Sequence, residues 1–427
     1  MTFSELNIHP RLLDAIAQSG YTEPTAIQEE SIPHILNGND MLGSAQTGTG
    51  KTAAFALPII QRLQDSTNAG QKKQARALIL APTRELAVQI KDSFTMYAKY
   101  SSIKTTTVYG GVPKRRQIQA IKRGVDVIIA TPGRLLDLMN MNILKLDTIE
   151  YYVLDEADRM LDMGFIDDVK AITGAITSAH QTMLFSATLP KAITDLSKAL
   201  LVNPVRVEVA KDNTPLETIH QSIYYIKNTD KTALLGELLT QDTVTSALVF
   251  VRTKQGANRL TKVLNEMGIK ADAIHGNKTQ AQRQQSLNNF KQKKTKILVA
   301  TDVASRGIDI DALSHVINYD LPETPETYLH RIGRTARAGR LGSSISFCSP
   351  EERHLVKSIQ NHISMKIPVE SHPRFKQPKG EEKRVNPYQS SQKIVEQPWK
   401  KHKKSKHHRN RTKQTKSYKK YQRVHAA

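Results

Sequence analysis

Ala45-Gln46-Thr47-Gly48-Thr49-Gly50-Lys51-Thr52 follows a segment of strand character, Asp40-Met41-Leu42-Gly43, and precedes an apolar, helix-like stretch. In that setting the glycines let backbone N–H groups approach phosphates at a helix N-terminus, Lys51 reaches the β- and γ-phosphates, and the Thr52 hydroxyl ligates Mg²⁺. The strict phosphate-loop pattern has Gly where this chain has Ala45, and a glycine-rich loop before an ordinary helix is the competing reading of the segment alone. Asp155-Glu156-Ala157-Asp158 follows Tyr151-Tyr152-Val153-Leu154, which puts the acids at the tip of a buried strand. Phosphoryl transfer needs one carboxylate for the metal and one group to orient or deprotonate the attacking water, and Asp155 and Glu156 fit those roles. In isolation the tetrapeptide reads as a solvated acidic turn; a phosphate loop in the same half of the chain tips the reading to catalysis.

A third cluster lies far downstream. His330-Arg331-Ile332-Gly333-Arg334-Thr335-Ala336-Arg337 carries Arg334 and Arg337 at i, i+3, which face one way if the segment is helical. Planar, permanently charged guanidinium forks suit the charge developing on a γ-phosphoryl group, and such an arginine finger contributes roughly 10³–10⁵ in rate. Standing alone the run would be a solvated or RNA-binding basic patch, but its place in the half without a phosphate loop favours the finger. Gln28, in Gly20-Tyr21-Thr22-Glu23-Pro24-Thr25-Ala26-Ile27-Gln28, has an amide able to pair with the N6/N7 edge of adenine, which spacing alone does not establish. Phe3 reads by default as a core residue.

Strands must position these residues. Seven short apolar runs stop at polar or Gly-rich clusters: ALILAPTREL, DVIIATPGR, YYVLDEAD, TMLFSAT, ALVFVRTK, KILVATDVASRG and HVINYDLPE. Alternating with helix-length segments, they indicate an α/β fold of parallel sheets flanked by helices on both faces, with ligands bound beyond the carboxyl ends of the strands. The polar stretch Lys211-Asp212-Asn213-Thr214-Pro215 separates four of these units from three and reads as a linker. The expected organisation is a first lobe over 1–211, a second over 212–366 without a second Gly-Lys-Thr, and a disordered basic C-terminal tail over 367–427.

The charge agrees with that division. The 427 residues carry 62 Lys/Arg against 40 Asp/Glu, a net +22 that suggests a polyanionic partner. From Lys366 onward the chain holds 19 Lys/Arg and 4 Asp/Glu, so +15 sits in the tail and +7 in the 365 residues before it. Cys348 is the single cysteine, which excludes an internal disulfide and points to a reducing compartment. The start, MTFSELNIHPRLL, lacks a cationic n-region and an apolar h-region, and no later run approaches the ~20 apolar residues of a membrane span. A cytoplasmic location with no membrane partner is the expectation.

Together these residues resemble the DEAD-box RNA helicases of superfamily two over about residues 1–365, with the DEAD tetrad itself present and the short motifs in family order. Among bacterial members the chain looks most like the RhlE-type branch. The resemblance implies two tandem RecA-like lobes and an ATP-dependent RNA helicase using ATP and Mg²⁺. It implies that Gln28 and Phe3 recognise adenine, that Asp309 contacts the ATP ribose, and that Ser186-Ala187-Thr188 and His330 link hydrolysis to strand separation. RNA backbone would be gripped in the first lobe by Pro82-Thr83-Arg84-Glu85-Leu86-Ala87, Gly110-Gly111 and Thr131-Pro132-Gly133-Arg134. In the second lobe the matching positions are Arg252-Thr253, His275-Gly276 with Gln280 and Arg283, and Thr301-Asp302 with Arg306-Gly307. Ala336 stands where many members have Gly; alanine is small, so no loss of function is expected.

On this reading neither lobe is a complete enzyme, and RNA bridging both favours the closed, hydrolytic state, with local unwinding of short duplexes or remodelling of RNA–protein complexes. Backbone and 2′-OH contacts would favour RNA while leaving base sequence unread. The tail would add nonspecific, salt-dependent RNA binding, with Trp399, Tyr418 and Tyr421 available to stack, or be merely a solubilising or expression-derived extension. A DNA translocase and a passive RNA-binding protein with a vestigial nucleotide site are the alternatives. Intact Lys51, Thr52, Asp155, Glu156, Arg334 and Arg337 argue against the latter.

Overall fold

The structure, a computed structural model, describes residues 2–45, 48–65, 74–209, 218–302, 313–336, 341–375 and 377. Its first sheet consists of β1 (Met41–Ser44), β2 (Ala77–Leu80), β3 (Thr105–Val108), β4 (Val127–Ala130), β5 (Tyr151–Leu154), β6 (Gln181–Ser186) and β7 (Val205–Glu208). They lie in the order β3-β4-β2-β5-β6-β1-β7, and every pair is parallel. Successive side chains of a strand point to opposite faces, so the continuous apolar runs of the central strands supply two cores at once. Ala77, Ile79, Val127, Ile129, Tyr151 and Val153 join one core; Leu78, Leu80, Ile128, Ala130, Tyr152 and Leu154 join the other. The first core is closed by α1 (Pro10–Gln18), α2 (Ala26–Leu36), α3 (Lys51–Asp65) and α4 (Arg84–Tyr97). The second is closed by α5 (Lys114–Lys122), α6 (Pro132–Asn140), α7 (Ala157–Asp162), α8 (Ile166–Gly174) and α9 (Lys191–Leu200).

The second sheet repeats the plan. Its strands are β8 (Ile219–Tyr225), β9 (Ala247–Phe250), β10 (Ala271–Ile274), β11 (Ile297–Ala300), β12 (His315–Asn318), β13 (Gly342–Cys348) and β14 (Val369–Glu370). The order β10-β11-β9-β12-β13-β8-β14 matches that of the first sheet strand for strand, again all parallel. Around it lie α10 (Lys231–Leu239), α11 (Lys254–Glu266), α12 (Gln280–Lys291), α13 (Pro325–Ile332) and α14 (Arg353–Ile363). This is the expected architecture of two tandem lobes, each a parallel sheet flanked by helices, and both belong to one compact unit, Met1–Lys379. Among the described residues no helix is long and apolar enough to cross a membrane.

The seven apolar runs are β2, β4, β5, β6, β9, β11 and β12. The segment Asp40–Gly43 is β1, shifted one residue to Met41–Ser44. The strands that apolar runs do not reveal are at edges or are polar: β3 is Thr-Thr-Thr-Val and half-buried, β7 alternates as Val-Arg-Val-Glu, and β13 buries serines at 344 and 346. The sheet also extends past residue 366, where apolar periodicity ends, because β14 needs only two residues to pair with β8. The linker Lys211–Pro215, its boundary at 211/212, and the tail residues Trp399, Tyr418 and Tyr421 lie outside the described residues.

Candidate functional site

The phosphate loop leaves β1 and enters α3 at Lys51. Gly48 and Gly50 have φ of +88° and +94°, a region glycine enters freely, and a Cβ on Gly50 would collide with the Gln28 amide. That amide is fully buried: Nε2 donates to the Gly50 carbonyl at 3.1 Å, and Oε1 accepts from Thr25 N at 3.0 Å. Thr25 Oγ1 donates to the Thr49 carbonyl at 2.8 Å, so the start of α2 is bolted to the phosphate loop. Lys51 is buried and its Nζ donates to the Ala45 carbonyl at 2.8 Å, while Thr52 follows in the first turn of α3. Phe3 lies in the core with Leu6 and Ile8, as its default reading has it. Gln46 and Thr47 lie outside the described residues.

At the end of β5, Asp155 N continues the ladder by donating to the Leu80 carbonyl, and Asp155 Oδ1 accepts from Glu156 N at 2.9 Å. Burial drives the Asp155 carboxyl up to about 6 against the opposing charge of Lys51. Burial also acts on Glu156, but the charges of Arg159, Lys51 and Arg334 win and hold it below its usual range. Arg159 Nη1 is ion-paired with Glu156 Oε2. The backbone of Glu156 is left-handed, φ +54°, where a side chain carries a cost of about 1–2 kcal/mol. Asp158 ties this turn to β6: its N–H donates to Ser186 Oγ at 3.2 Å, and its Oδ2 accepts from both N and Oγ1 of Thr188 at 2.9 Å. Ser186 Oγ donates in turn to the Thr188 carbonyl at 2.7 Å, with Ala187 between them.

A second site opens beside the first as a cleft of about 470 Å³. Pro82, Thr83, Arg84, Gly110, Thr131, Gly133 and Arg134 line it from the first lobe, and Gly276 and Arg283 from the second. The threonines share one structural role: Thr83, Thr131 and Thr253 are the N-caps of α4, α6 and α11. Helix N-termini present free N–H groups and a partial positive charge, suited to phosphates. Gly111, at φ +81°, sits in the left-handed region that favours glycine, and a Cβ there would push the Arg84 guanidinium aside. Glu85, also lining the cleft, joins the lobes: its Oε1 accepts from Arg283 Nε at 2.8 Å and from Gln280 Nε2 at 3.2 Å, all three buried. Thr301 is buried at the end of β11, and Asp302 beside it forms a bidentate pair with Arg331 at 2.6 and 2.7 Å. Arg252 is turned to Glu352 at 2.8 Å, which Lys231 also meets at 2.8 Å. Arg306, Gly307, Asp309 and Arg337 lie outside the described residues.

One premise fails. The segment carrying Arg334 is not helical there, since α13 ends at Ile332 with Gly333 as its cap, and the i, i+3 argument does not apply. Arg334 instead follows the helix, buried, with its charge felt at Glu156 in the other lobe. His330 is exposed in the last turn of α13. Ala336 has φ +54°, so its position favours glycine for backbone reasons rather than size. Sequence reasoning assigned no role to Arg159, Asp158, Arg331, or to Met163 and Phe165, which also line the cleft. Of these only Arg159, three residues from Glu156 at helical spacing, left a readable signal.

Among the described residues no group of three or more His, Cys, Asp or Glu is arranged to hold a metal. The buried carboxylate of Asp155, raised chiefly by burial, together with Thr52 at a phosphate loop, fits a hard cation that completes its shell from phosphate and water oxygens.

Family models match the chain as a DEAD/DEAH box helicase over residues 25–196 and a helicase conserved C-terminal domain over 230–339. The chain is 41% identical to the DEAD-box ATP-dependent RNA helicase CshA of Bacillus cereus over 366 residues, covering 86% of this chain and 69% of the relative. It is 43% identical to the RNA helicase CrhR of Synechocystis over 369 residues, 86% and 74% of the two chains. Among solved structures, S. cerevisiae Dbp5 bound to RNA and ADP-BeF3 superposes with a TM-score of 0.76 at 34% identity, over 86% of this chain and 94% of that one. Mss116p bound to single-stranded RNA and AMP-PNP gives 0.77 at 30% identity, over 87% and 79%.

Proposed function

Since the chain belongs to the DEAD/DEAH-box helicases, as a DEAD-box RNA helicase, we propose that it hydrolyses ATP on the face between its lobes and uses lobe docking to pull short RNA duplexes apart or strip proteins from RNA. ATP is held by the phosphate loop, with Lys51 leaving the Ala45 carbonyl for the β/γ-phosphates and Gln28, Phe3 and Asp309 at the nucleoside. Thr52 and Asp155 hold Mg²⁺, which when bound neutralises charge on the phosphate oxygens. Water attacks the γ-phosphorus, the bond to the β-bridging oxygen breaks, and ADP and phosphate leave. The depressed Glu156 carboxyl suits orienting that water better than taking its proton early. Arg334, with Arg337, stabilises the charge that develops.

The observation that carries this reading is that Glu85, on the first lobe, is buried against Gln280 and Arg283, on the second, with Arg334 of the second lobe among the charges that lower the Glu156 carboxyl of the first. The RNA cleft is built from both lobes in the same way, so a strand bound there favours the docking that completes the ATP site. Recognition through helix N-termini and guanidinium groups reads phosphates rather than bases. The tail adds nonspecific RNA affinity, and the cytoplasm is where this protein works. The test is release of a labelled strand from a short RNA duplex. Release that requires ATP, and that Glu156→Gln cannot sustain over many turnovers, is expected; release without ATP would leave only a passive RNA binder.

A further inference from the structure

Helix α5 carries Lys114, Arg115, Arg116 and Lys122, is followed by Arg123, and contains no acid. At about 100° per residue, Arg115, Arg116, Gln119, Lys122 and Arg123 fall within an arc of about 120°, and all five are exposed. The opposite side is anchored, with Gln117 buried and Ile118 and Ile121 packed against the second core of the first lobe. Lys114 pairs with Asp137 at 2.8 Å, but among the described residues no carboxylate lies within ion-pair distance of Arg115, Arg116, Lys122 or Arg123. Three cations in the first turn also oppose the helix dipole, where helix stability alone would place Asp or Glu. A phosphate chain would relieve both.

The stripe is joined to the RNA cleft. Gln117 Nε2 donates to the Tyr109 carbonyl at 2.9 Å, and Arg134 Nη1 donates to the Val112 carbonyl at 3.2 Å and to Gln117 Oε1 at 3.4 Å. The loop between Tyr109 and Val112 carries Gly110-Gly111, so α5 is a rigid continuation of the cleft wall. From Arg115 to Arg123 it runs about 12 Å, enough for several phosphates.

We propose that the outward face of α5 holds the phosphate backbone of RNA leaving the cleft past Gly110-Gly111, a second contact that anchors substrates longer than the cleft. This rests on the RNA-helicase reading and adds to it a preference for RNA carrying a structured flank. The contact is electrostatic, unselective for base and weakened by salt.

The full chain with Arg115, Arg116, Lys122 and Arg123 all changed to Gln is compared with wild type on two RNAs: a short single strand that fills the cleft, and the same strand extended by a hairpin. The variant should require roughly 5–20-fold more hairpin RNA for half-maximal ATPase, by loss of several phosphate contacts. The short strand's requirement and the maximal rate on both RNAs should be unchanged. Lys at the three Arg positions should restore affinity. A direct readout uses Arg116→Cys bearing a thiol-linked photo-cross-linker, which labels one site because the chain's single cysteine, Cys348, is buried and its thiol pushed up to about 12. Cross-links should map to the hairpin, and a probe at Val202→Cys, beside β7 at the far edge of the sheet from β3 and α5, should give none. Equal requirements for hairpin RNA in variant and wild type, equal loss on both RNAs, or no excess of cross-links over the control each overturn the proposal. Polyglutamate binding that only the wild type shows, with RNA behaviour unchanged, would move the face to an acidic protein partner. If neither RNA stimulates wild type, the helicase reading has failed instead.

Discussion

Glu156 and Ala336 both sit at positive φ without being glycine, and the two cases differ in what the surroundings return. At Glu156 the left-handed turn presents a carboxylate beside Asp155, Arg159, Lys51 and the other lobe's Arg334, so a local cost accompanies a catalytic arrangement. Ala336 lies within the arginine segment, where its one methyl group, partly buried against the core around Tyr328 and Ile332, returns less than the charges around Glu156. Ala336→Gly should therefore raise unfolding stability by about 0.5–1 kcal/mol, seen as a higher urea midpoint with unchanged slope; a lower midpoint would mean the methyl group packs usefully. The phosphate loop and the acidic tetrad were legible at this scale because their chemistry is fixed by neighbours in sequence. Arg334 was legible as a residue, but the helical condition on its pairing with Arg337 is not met, since nothing in i, i+3 spacing registers that Gly333 ends the helix. The contact of Asp158, at the start of α7, with Ser186 and Thr188, at and after the end of β6, joins segments distant in sequence, and neither motif displays it alone.

Elements carry the next layer. Four-residue strands buried on both faces announce themselves as apolar runs, whereas β3, β7, β8, β10, β13 and β14 mix polar residues or are too short to stand out. What locks the second lobe's elements together is Arg331, 3% exposed in its side chain, which joins α13 to Asp302, to Asn318 at 3.0 Å and to the Asp320 carbonyl at 2.7 Å, with its guanidinium 4.7 Å from the Phe250 ring centre. Arg331→Ala removes the bidentate guanidinium from Asp302 and the Nη1 donor from the buried Asn318 Oδ1. With Asp302 partly exposed, the loss should lie near the lower end for a broken buried pair, about 3 kcal/mol, measured by denaturant unfolding. A loss under about 0.5 kcal/mol would show that water replaces the guanidinium without penalty.

At the scale of the molecule, two sheets of identical strand order share almost no sequence signature, because parallel βαβ topology follows from backbone handedness and connection length rather than from particular side chains. The division into two lobes was therefore legible in the apolar runs, and their equivalence only through the family resemblance. Their join was also hidden: Glu85 and Arg283 are 198 residues apart in sequence and buried against each other. Glu85→Gln should raise the RNA concentration for half-maximal ATPase by ~10-fold or more, since it removes the negative charge from an ion pair buried between the lobes, while the rate without RNA stays unchanged. Equal RNA requirements in both proteins would place the join outside the RNA-dependent step. On the proposed function, RNA completes an ATP site divided between lobes. This completion is tested most directly by steady-state ATPase without nucleic acid, with RNA and with single-stranded DNA, in wild type and Glu156→Gln. A rate that rises with RNA alone and disappears in the variant is the predicted result; equal stimulation by DNA, or a full rate with no nucleic acid present, would contradict it.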